Sequence, residues 1–317
     1  MERYFVGAYA ASPAHQRWQP DLEHEYLHAL AALPHVAGLE LPWIDGLHPH
    51  DDEWLLRNLP VGMDVILTDI PGTVRRLAHN SSFGLASADT SGRAEALNVL
   101  ARIRDDVHRL NDRTGRATVQ VLELHSAPRA SAGRPELLAD SLEQLATWDW
   151  DGTKLVIEHC DAEVPQRRPE KGYQSLSAEI TAIQQSGTDV GISLNWGRSA
   201  IELRDPDRVT DHITYAADAG LLHGLIISGA SNQPSVFGPG WTDAHHPFEK
   251  SARHPHGERT SLLTEDRVTS AFAAAGPLLW AGVKLGFPYP TADVSDRVAM
   301  IADALDAIDR CRIPARI

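Results

Sequence analysis

The chain has 317 residues, 43% of them hydrophobic and 23% charged, a composition typical of a globular protein with a large core. Its formal net charge of -14 at pH 7 argues against nucleic acids and anionic membranes as nonspecific partners, because both bind to basic surfaces. Cys160 and Cys311 are too few for a disulfide framework, and the sequence shows neither a signal-peptide pattern nor a membrane-spanning segment, so we expect a cytoplasmic protein.

Short apolar segments alternate with segments of helical periodicity along the chain. We predict eight strands, at residues 4–10, 36–41, 64–69, 119–125, 155–161, 190–194, 222–227 and 280–285. The clearest predicted helices begin at or near Asp21, Asp51, Ser91, Pro135, Asp205, Thr264 and Asp293. This alternation indicates an α/β protein and favours a closed (β/α)8 TIM barrel, with an open, doubly wound sheet as the alternative.

Two connections depart from the regular alternation. The third strand breaks at Pro71-Gly72, and we expect a loop through residues 80–82 before the next helix. Residues 231–262, after the seventh strand, are polar and rich in proline, glycine and histidine, which predicts a long irregular loop. The sequence has no glycine-rich phosphate-binding motif and no linker that would divide it, so we expect residues 1–317 to form one barrel domain.

Polar and ionisable residues occur at the carboxyl ends of the predicted strands. In a closed barrel these ends meet at one mouth, where TIM-barrel enzymes hold their active sites. Any single residue of this kind could instead be a buried structural group or a helix cap, so their convergence is the functional signal. The set consists of Glu40, Asp69, Glu123, His125, Glu158, Asn195, Arg198, Ser228 and Lys284.

Glu123 and Glu158 are the predicted catalytic acid and base. Glu123 and His125 are two residues apart and therefore share one strand face, whereas Glu158 and His159 face opposite ways, which would pack His159 beneath a helix. Burial raises the pKa of a carboxyl group, and two neighbouring carboxylates push their pKa values apart. Such a pair would supply one acid and one base.

Lys284 lies in an apolar strand between Gly282 and Gly286, where an ammonium group pointing outward under a helix would be costly. We expect it to point inward beside Glu158, as a cation that neutralises carboxylates, an electrophile that holds a substrate oxygen, or a Schiff-base nucleophile with a depressed pKa. A structural ion pair without a chemical role is the alternative.

Aromatic and histidine residues near the strand ends provide weaker signals. Trp43, Trp196 and Trp241 follow strands or lie in the long loop, where an indole could stack on a sugar ring, although packing beneath a lid is equally ordinary. Asp243, His245 and His246 resemble a cluster of metal ligands, but histidine-rich loops are more often solvated loops or lids.

Six short motifs span the chain: VGAYAASP at residues 6–13, LHPH at 47–50, IPGT at 70–73, HSAP at 125–128, IEHCD at 157–161 and NWGRSAIE at 195–202. Together they resemble an uncharacterised family of the xylose isomerase-like TIM barrels, over nearly the whole length. The wider superfamily includes sugar isomerases, ketose epimerases, hydroxypyruvate isomerase-like enzymes and endonucleases, most of which use a divalent metal. The resemblance implies a carbohydrate as substrate and, since superfamily relatives are commonly oligomeric, a homo-oligomer.

The epimerase branch of that superfamily holds its metal with Glu on the fifth strand, Asp and a following His at the sixth, His on the seventh and Glu on the eighth. In this sequence Glu158 keeps the first position, and the others are occupied by Asn195, Arg198, a position near Ser228, and Lys284. The resemblance therefore implies that the usual site is lost, with Lys284 and Arg198 replacing the metal electrostatically.

We accordingly expect no cofactor, with a relocated manganese, zinc or magnesium site formed by Glu123, His125 and Glu158 as the alternative. The leading hypothesis is a sugar or sugar-acid isomerase or epimerase in which Glu158 and Glu123 transfer protons beside a carbonyl. A lyase or aldolase that uses Lys284 as a Schiff base and a non-catalytic sugar-binding barrel are the other hypotheses. The residues expected to contact the substrate are Glu40, Asp69, His125, Asn195, Trp196, Arg198, Ser228 and Trp241.

Overall fold

A computed structural model describes residues 4–14 and 17–312 and contains a closed barrel of parallel strands. Every strand pairs with its neighbours in sequence, and the last strand pairs with the first. The strands are β1 (Tyr4–Gly7), β2 (Val36–Pro42), β3 (Asp64–Thr68), β4 (Val119–Leu124), β5 (Lys154–His159), β6 (Gly191–Asn195), β7 (Leu222–Ile227) and β8 (Trp280–Val283). The predicted TIM barrel is confirmed, and the open sheet is excluded.

Helices surround the barrel, and several are capped by the side chains that their sequences provide. Asp51, Asp89, Ser175 and Thr264 each accept a hydrogen bond from a backbone N–H of the first helical turn. None of the described helices has the length and apolar character needed to cross a bilayer. The helices are α1 (Pro20–Ala31), α2 (Asp52–Asn58), α3 (Ile70–Leu77), α4 (Thr90–Thr114), α5 (Pro135–Ala146), α6 (Leu176–Ser186), α7 (Trp196–Leu203), α8 (Val209–Asp218), α9 (Glu265–Ala275) and α10 (Val294–Arg312).

Several predicted boundaries are wrong, and the predicted fifth and eighth strands, at residues 155–161 and 280–285, end at His159 and Val283. The first strand ends at Gly7 and continues as a 3-10 turn over Ala8–Ala10, so the strand does not extend to residue 10. The expected break at Pro71-Gly72 is instead the first turn of α3. Proline suits that position because the first turn of a helix needs no donor from its backbone nitrogen, and its φ angle is already helical.

The lower part of the barrel interior is apolar, and the upper part is polar. Glycines make room for large inward side chains: a Cβ atom on Gly224 would lie 2.2 Å from the Trp280 ring, and one on Gly7 would lie 2.6 Å from Lys284 Cγ. Gly7 thus leaves the space through which the Lys284 stem passes on its way to Glu40. The apolar layer consists of Phe5, Ile66, Val121, Val156, Ile226 and Trp280.

The segment between β7 and α9, residues 228–264, is the long irregular connection that the sequence predicts, and we call it the β7–α9 loop. Isolated bridges join Gly229 to His246 and Ser231 to Ser261, so the segment folds back on itself. It is also tied to the chain after β8, where Gly286 N–H donates to the carbonyl of His245 at 2.7 Å. The loop therefore covers the carboxyl-terminal mouth of the barrel.

Candidate active site at the barrel mouth

Three glutamates from neighbouring parts of the barrel wall form the centre of the mouth. Glu40 on β2 and Glu123 on β4 are fully buried, and Glu158 on β5 is 1% exposed. A buried carboxylate is stable only when cations or hydrogen-bond donors compensate it. The surroundings of each glutamate therefore determine its protonation.

Lys284 points inward, as the sequence predicts, but its hydrogen-bond partner is Glu40 rather than Glu158. Its Nζ donates to Glu40 Oε1 at 2.5 Å and lies 3.9 Å from Glu158 Oε1. The ammonium also lies 4.9 Å from the centre of the Tyr9 ring. Burial opposes its charge, yet the carboxylates of Glu158 and Glu40 raise the pKa of Lys284 well above its usual value. Lys284 therefore stays protonated. This opposes the Schiff-base hypothesis, because formation of an imine requires the neutral amine.

Arg198, at the start of α7, is the cation in direct contact with Glu158. Its Nη1 lies 2.5 Å from Glu158 Oε1, and its Nε donates to Asp243 Oδ2 at 3.0 Å. Burial raises the pKa of Glu158, but Arg198 and Lys284 together hold it well below the usual value. Glu158 is consequently the ionised carboxylate of the mouth.

His125 bridges two carboxylates. Its Nδ1 lies 2.5 Å from Asp69 Oδ1, and its Nε2 lies 3.0 Å from Glu158 Oε2. Burial lowers the pKa of His125, but the Asp69 carboxylate outweighs burial, and the net pKa is well above the usual value. The ring is therefore an imidazolium that donates to both carboxylates. Thr73 in α3 donates to Asp69 Oδ2 at 3.2 Å, so the helix that the sequence did not predict positions this acid.

Glu123 has the opposite electrostatic environment. Its Oε1 accepts a hydrogen bond from Ser193 Oγ at 3.1 Å, and its Oε2 has no hydrogen-bond partner among the described residues. Burial, followed by repulsion from Glu158 and Glu40, raises the pKa of Glu123 well above its usual value. The pKa values of Glu123 and Glu158 are therefore displaced in opposite directions, as expected for two neighbouring carboxyl groups, and their catalytic roles stay predictions.

The β7–α9 loop closes the mouth through charged groups of its own. Asp243 accepts hydrogen bonds from Lys171 Nζ and Arg198 Nε, and His245 Nδ1 lies 2.9 Å from Ser228 Oγ. Burial lowers the pKa of His245 to about 3, so this ring is neutral. Asp243 and His245 thus serve closure, whereas His246 contacts Ser235 at 3.1 Å, so these three residues form the lid that the sequence favours over a metal cluster.

Acidic and basic side chains of the closed mouth lie in contact as pairs. The contacts join Glu40 to Lys284, Asp69 to His125, Glu158 to Arg198 and Asp243 to Lys171. Because opposite charges alternate in contact, each offsets the desolvation cost of its neighbours.

Two of the three tryptophans are buried. Trp196 is 1% exposed and belongs to the hydrophobic core, and its substrate contact stays a prediction. Trp43 is equally buried, and its indole donates to Asp106 in α4 at 2.8 Å. Trp241 is half-buried beside the Arg204 guanidinium, 5.1 Å from the ring centre, and its substrate contact stays a prediction.

Sequence reasoning missed Tyr9, Lys171 and Tyr173. Tyr9 was assigned to the first strand, yet it lies beyond the end of β1 and contacts Lys284 with its ring. Lys171 and Tyr173 belong to the connection between β5 and α6, which has no clear periodicity. The position of Tyr9 directly after an apolar strand was the available signal.

Asn195 and Ser228 lie at the mouth, and each also makes a hydrogen bond that positions a neighbouring part of the chain. Asn195 Oδ1 accepts the backbone N–H of Arg198 at 3.2 Å and caps α7, while its Nδ2 has no hydrogen-bond partner among residues 4–14 and 17–312. Ser228 positions His245 in the loop. Both side chains are buried, and their predicted substrate contacts stay predictions.

The residues at the superfamily's metal positions do not fit a divalent cation. Glu158 Oε1 lies 2.5 Å from the Arg198 guanidinium and 3.9 Å from the Lys284 ammonium, and its Oε2 contacts His125. A divalent ion needs several anionic oxygen donors, whereas this set adds two permanent cations. The relocated site of Glu123, His125 and Glu158 is also unsupported: within the described part of the chain, the only trio of ligand atoms within 4.8 Å of one another belongs to His159, Glu202 and His212.

Comparison with known proteins identifies the family of this chain. The family model described as "Domain of unknown function (DUF4862)" matches residues 5–300. The chain belongs to the DUF4862 family. A relative from Salmonella typhimurium (strain LT2), named "Uncharacterized protein STM3670", is 34% identical over 314 residues and aligns with 97% of each chain.

Solved structures resemble this DUF4862 protein in fold. An IolI protein with a bound zinc atom has a TM-score of 0.63 and 14% identity, covering 98% of this chain and 99% of that one. A D-psicose 3-epimerase in the presence of D-fructose has a TM-score of 0.55 and 14% identity, with 98% of both chains covered. A xylose isomerase domain protein from Alicyclobacillus acidocaldarius has a TM-score of 0.52 and 14% identity, with 99% and 100% covered. The xylose isomerase-like barrel is thereby confirmed.

Proposed function

We propose that this DUF4862 protein is an isomerase or epimerase that moves a proton at the carbon beside the carbonyl group of a small sugar or sugar acid. The observation that carries the proposal is the pair Glu123 and Glu158, whose pKa values are displaced in opposite directions. Two carboxyl groups held in different protonation states in one buried site are the requirement for acid–base catalysis.

The two glutamates approach a bound substrate from different depths. Glu123 on β4 lies opposite Val156, two residues before Glu158 on the neighbouring strand, so Glu158 lies nearer the mouth. In this mechanism the Glu158 carboxylate takes the proton from the carbon beside the carbonyl, and Glu123 donates its proton to the substrate. The ammonium of Lys284 and the guanidinium of Arg198 stabilise the enolate oxygen that develops between these steps.

Glu158 must gain basicity when the substrate binds, because its cation contacts make it a weak base in the closed protein. A substrate oxygen that takes up contacts from Arg198 or Lys284 removes part of this stabilisation. The pKa of Glu158 then rises toward that of the carbon acid. The cation that lowered the pKa of Glu158 would thus stabilise the developing enolate.

The hydrogen-bonding capacity of the mouth suits a polyhydroxylated ligand. Among the described residues, Glu40 Oε2, Glu123 Oε2 and Asn195 Nδ2 are buried polar atoms without a hydrogen-bond partner. Hydroxyl groups both donate and accept, so a sugar can satisfy all three. The D-psicose 3-epimerase neighbour, a protein of the same fold that was crystallised in the presence of D-fructose, supports this choice of substrate class.

Access to the mouth requires movement of the β7–α9 loop, since the side chains of Asp243 and His245 are only 8% and 13% exposed. A cleft of about 260 Å³ is lined by residues that include Arg129, Lys171 and Tyr173, and the Lys171 ammonium contacts Asp243 of the loop. It offers a route by which a small solute reaches the Lys171–Asp243 contact.

The proposal is tested by incubating the protein in D2O with ketoses, aldoses and sugar acids and following deuterium incorporation beside the carbonyl by NMR. The wild type should incorporate deuterium into at least one substrate, and Glu158→Gln should lose about 100-fold or more of that rate. Glu123→Gln should also lose turnover while remaining folded by circular dichroism.

Asp106→Asn provides the control, because Asp106 is a half-buried carboxyl that contacts Trp43 outside the mouth. It should exchange like the wild type. Equal exchange by Glu158→Gln would remove the proposed base. Binding of sugars without exchange of any of them would instead favour the non-catalytic sugar-binding barrel.

A further inference from the structure

A second buried cluster lies on the outer side of the barrel wall, away from the mouth. His159, the last residue of β5, is 1% exposed and contacts glutamates from two helices instead of facing the interior. Glu202 on α7 and His212 on α8 complete the cluster. The acid–base mechanism uses none of these three side chains, so their convergence requires a separate explanation.

Their ligand atoms have the spacing of a metal site. His159 Nε2 lies 3.0 Å from Glu202 Oε2, His212 Nε2 lies 3.7 Å from Glu202 Oε1, and one atom from each residue falls within 4.8 Å of the others. Zinc binds nitrogen and oxygen at about 2.0–2.2 Å, so ligands at the corners of its tetrahedron lie roughly 3.3 Å apart. The contact between His159 and Glu202, at 3.0 Å, is shorter than this separation. The contact between His212 and the other oxygen of Glu202, at 3.7 Å, is longer.

The other ring nitrogen of each histidine is held by a neighbour. His159 Nδ1 lies 2.7 Å from Glu179 Oε2 in α6, and Ser126 donates to the second oxygen of Glu179. His212 Nδ1 lies 3.3 Å from Ser199 Oγ in α7. Metal-binding histidines characteristically use their second nitrogen in this way, because the outer contact fixes the tautomer and aims Nε2 at the ion.

Charge and access also suit a divalent ion. Burial lowers the pKa of His159, but the carboxylates of Glu179 and Glu202 outweigh burial and raise it well above its usual value. A divalent ion therefore displaces the His159 proton, after which the two carboxylates match the two positive charges of the ion and both imidazoles are neutral ligands. Glu202 is further fixed by the backbone N–H of Ala162, 2.8 Å from its Oε2. The side chains of Glu202 and His212 are 11% and 13% exposed, so one edge of the cluster reaches solvent.

We propose that His159, Glu202 and His212 form a binding site for zinc or a similar transition metal, with water as the fourth ligand. The site joins β5 to α7 and α8 behind the barrel wall. The same two elements β5 and α7 carry Glu158 and Arg198, which meet at the mouth. A metal bound behind them fixes the relative position of that ion pair without contacting a substrate.

The test begins with protein freed of metal by a chelator and then dialysed against buffered Zn²⁺, with bound zinc measured by elemental analysis. The wild type should bind about one zinc ion per chain, and thermal unfolding should shift upward by about 4 °C at a hundredfold excess over the dissociation constant. His212→Gln and Glu202→Gln should each weaken zinc binding tenfold or more. Co²⁺ in place of zinc should give the visible absorption of a four-coordinate site.

His108→Gln is the matched control, because His108 is also a half-exposed histidine on an outer helix but contacts only the carbonyl of Asp149. It should bind zinc like the wild type, as should Glu158→Gln at the mouth. Loss of zinc from Glu158→Gln with retention by His212→Gln would locate the ion in the barrel and overturn the proposal. Failure of the wild type to bind zinc would also overturn it and leave the cluster as a buried ion-pair network.

Discussion

Glu158 and His159 are consecutive residues of β5, yet their side chains enter different buried networks on opposite faces of the barrel wall. Glu158 contacts Arg198 at 2.5 Å inside the mouth, whereas His159 contacts Glu202 at 3.0 Å outside it. Arg198 and Glu202 both belong to α7, so the two networks share one strand and one helix. Because side chains alternate along a strand, these two consecutive residues place two ionic clusters on opposite faces of the barrel wall.

The glutamine variants of the two central glutamates should differ in stability. Glu123→Gln replaces a neutral acid with a neutral amide of the same shape, so the free energy of unfolding should change by about 1 kcal/mol or less. Glu158→Gln removes the carboxylate that compensates Arg198 and Lys284, and should cost about 3–5 kcal/mol. Urea unfolding at pH 7 measures both changes. Equal losses would contradict the assigned protonation states.

Removal of Lys284 should be rescued in part by removal of its partner. Lys284→Met leaves Glu40 without its 2.5 Å hydrogen bond and should lower the free energy of unfolding by about 3–5 kcal/mol. The double variant Lys284→Met/Glu40→Gln no longer buries that uncompensated charge and should be more stable than the single variant. A double-mutant cycle from urea unfolding determines this coupling, and simple additivity would mean that the two groups do not interact.

Closure of the β7–α9 loop should weaken in acid because of His245. Burial, with smaller effects from Lys284, Arg198 and Lys171 and opposed by Asp243, lowers the pKa of His245 to about 3 in the closed loop. In an open loop the ring regains a pKa near 6.5. The contribution of the neutral ring to closure is therefore complete above that value and is lost progressively as the pH falls toward 3.

At pH 5 this linkage amounts to about 2 kcal/mol against closure. Hydrogen exchange of residues 241–246 should accelerate between pH 7 and pH 5 after correction for intrinsic rates. His245→Gln, which cannot take up the proton, should show a flatter pH dependence. An identical acceleration in this variant would assign the effect to another group.

Gly7 should tolerate no side chain. In Gly7→Ala the new Cβ would lie 2.6 Å from Lys284 Cγ and 3.1 Å from Glu40 Oε2, so the Lys284–Glu40 contact must shift. Overpacking of this kind costs about 1–3 kcal/mol. The variant should lose stability in urea, and it should lose deuterium exchange more severely than the Asp106→Asn control. Unchanged values would show that the lysine stem has room to move.

The sequence predicted the barrel well because its strands are apolar, short and regularly spaced, and the closed sheet follows from their number. The inward direction of Lys284 was also predictable, since an ammonium under a helix would be costly. Its contact with Glu40 instead of Glu158 was not predictable, because that contact depends on how the Lys284 side chain passes Gly7 in three dimensions.

Other details were equally hidden from the sequence. Trp196 follows a strand directly, but α7 starts at that residue and its indole lies in the core, a direction that sequence position alone does not reveal. The role of Asp243 depends on a loop that has no periodicity, so its contacts with Arg198 and Lys171 could only be found in the structure. The cluster around His159 unites four segments of the chain, and only the outward direction of His159 was apparent beforehand.

The position of Asp243 gives the β7–α9 loop an electrostatic role in addition to its steric role of covering the mouth. Its carboxylate contacts Lys171 and Arg198, and it is carried by the β7–α9 loop. When the loop opens, that charge leaves with it, while Arg198 stays on its helix and Lys171 stays beside the cleft. Opening therefore takes one negative charge away from two cations, which makes the open mouth more attractive to anions in solution.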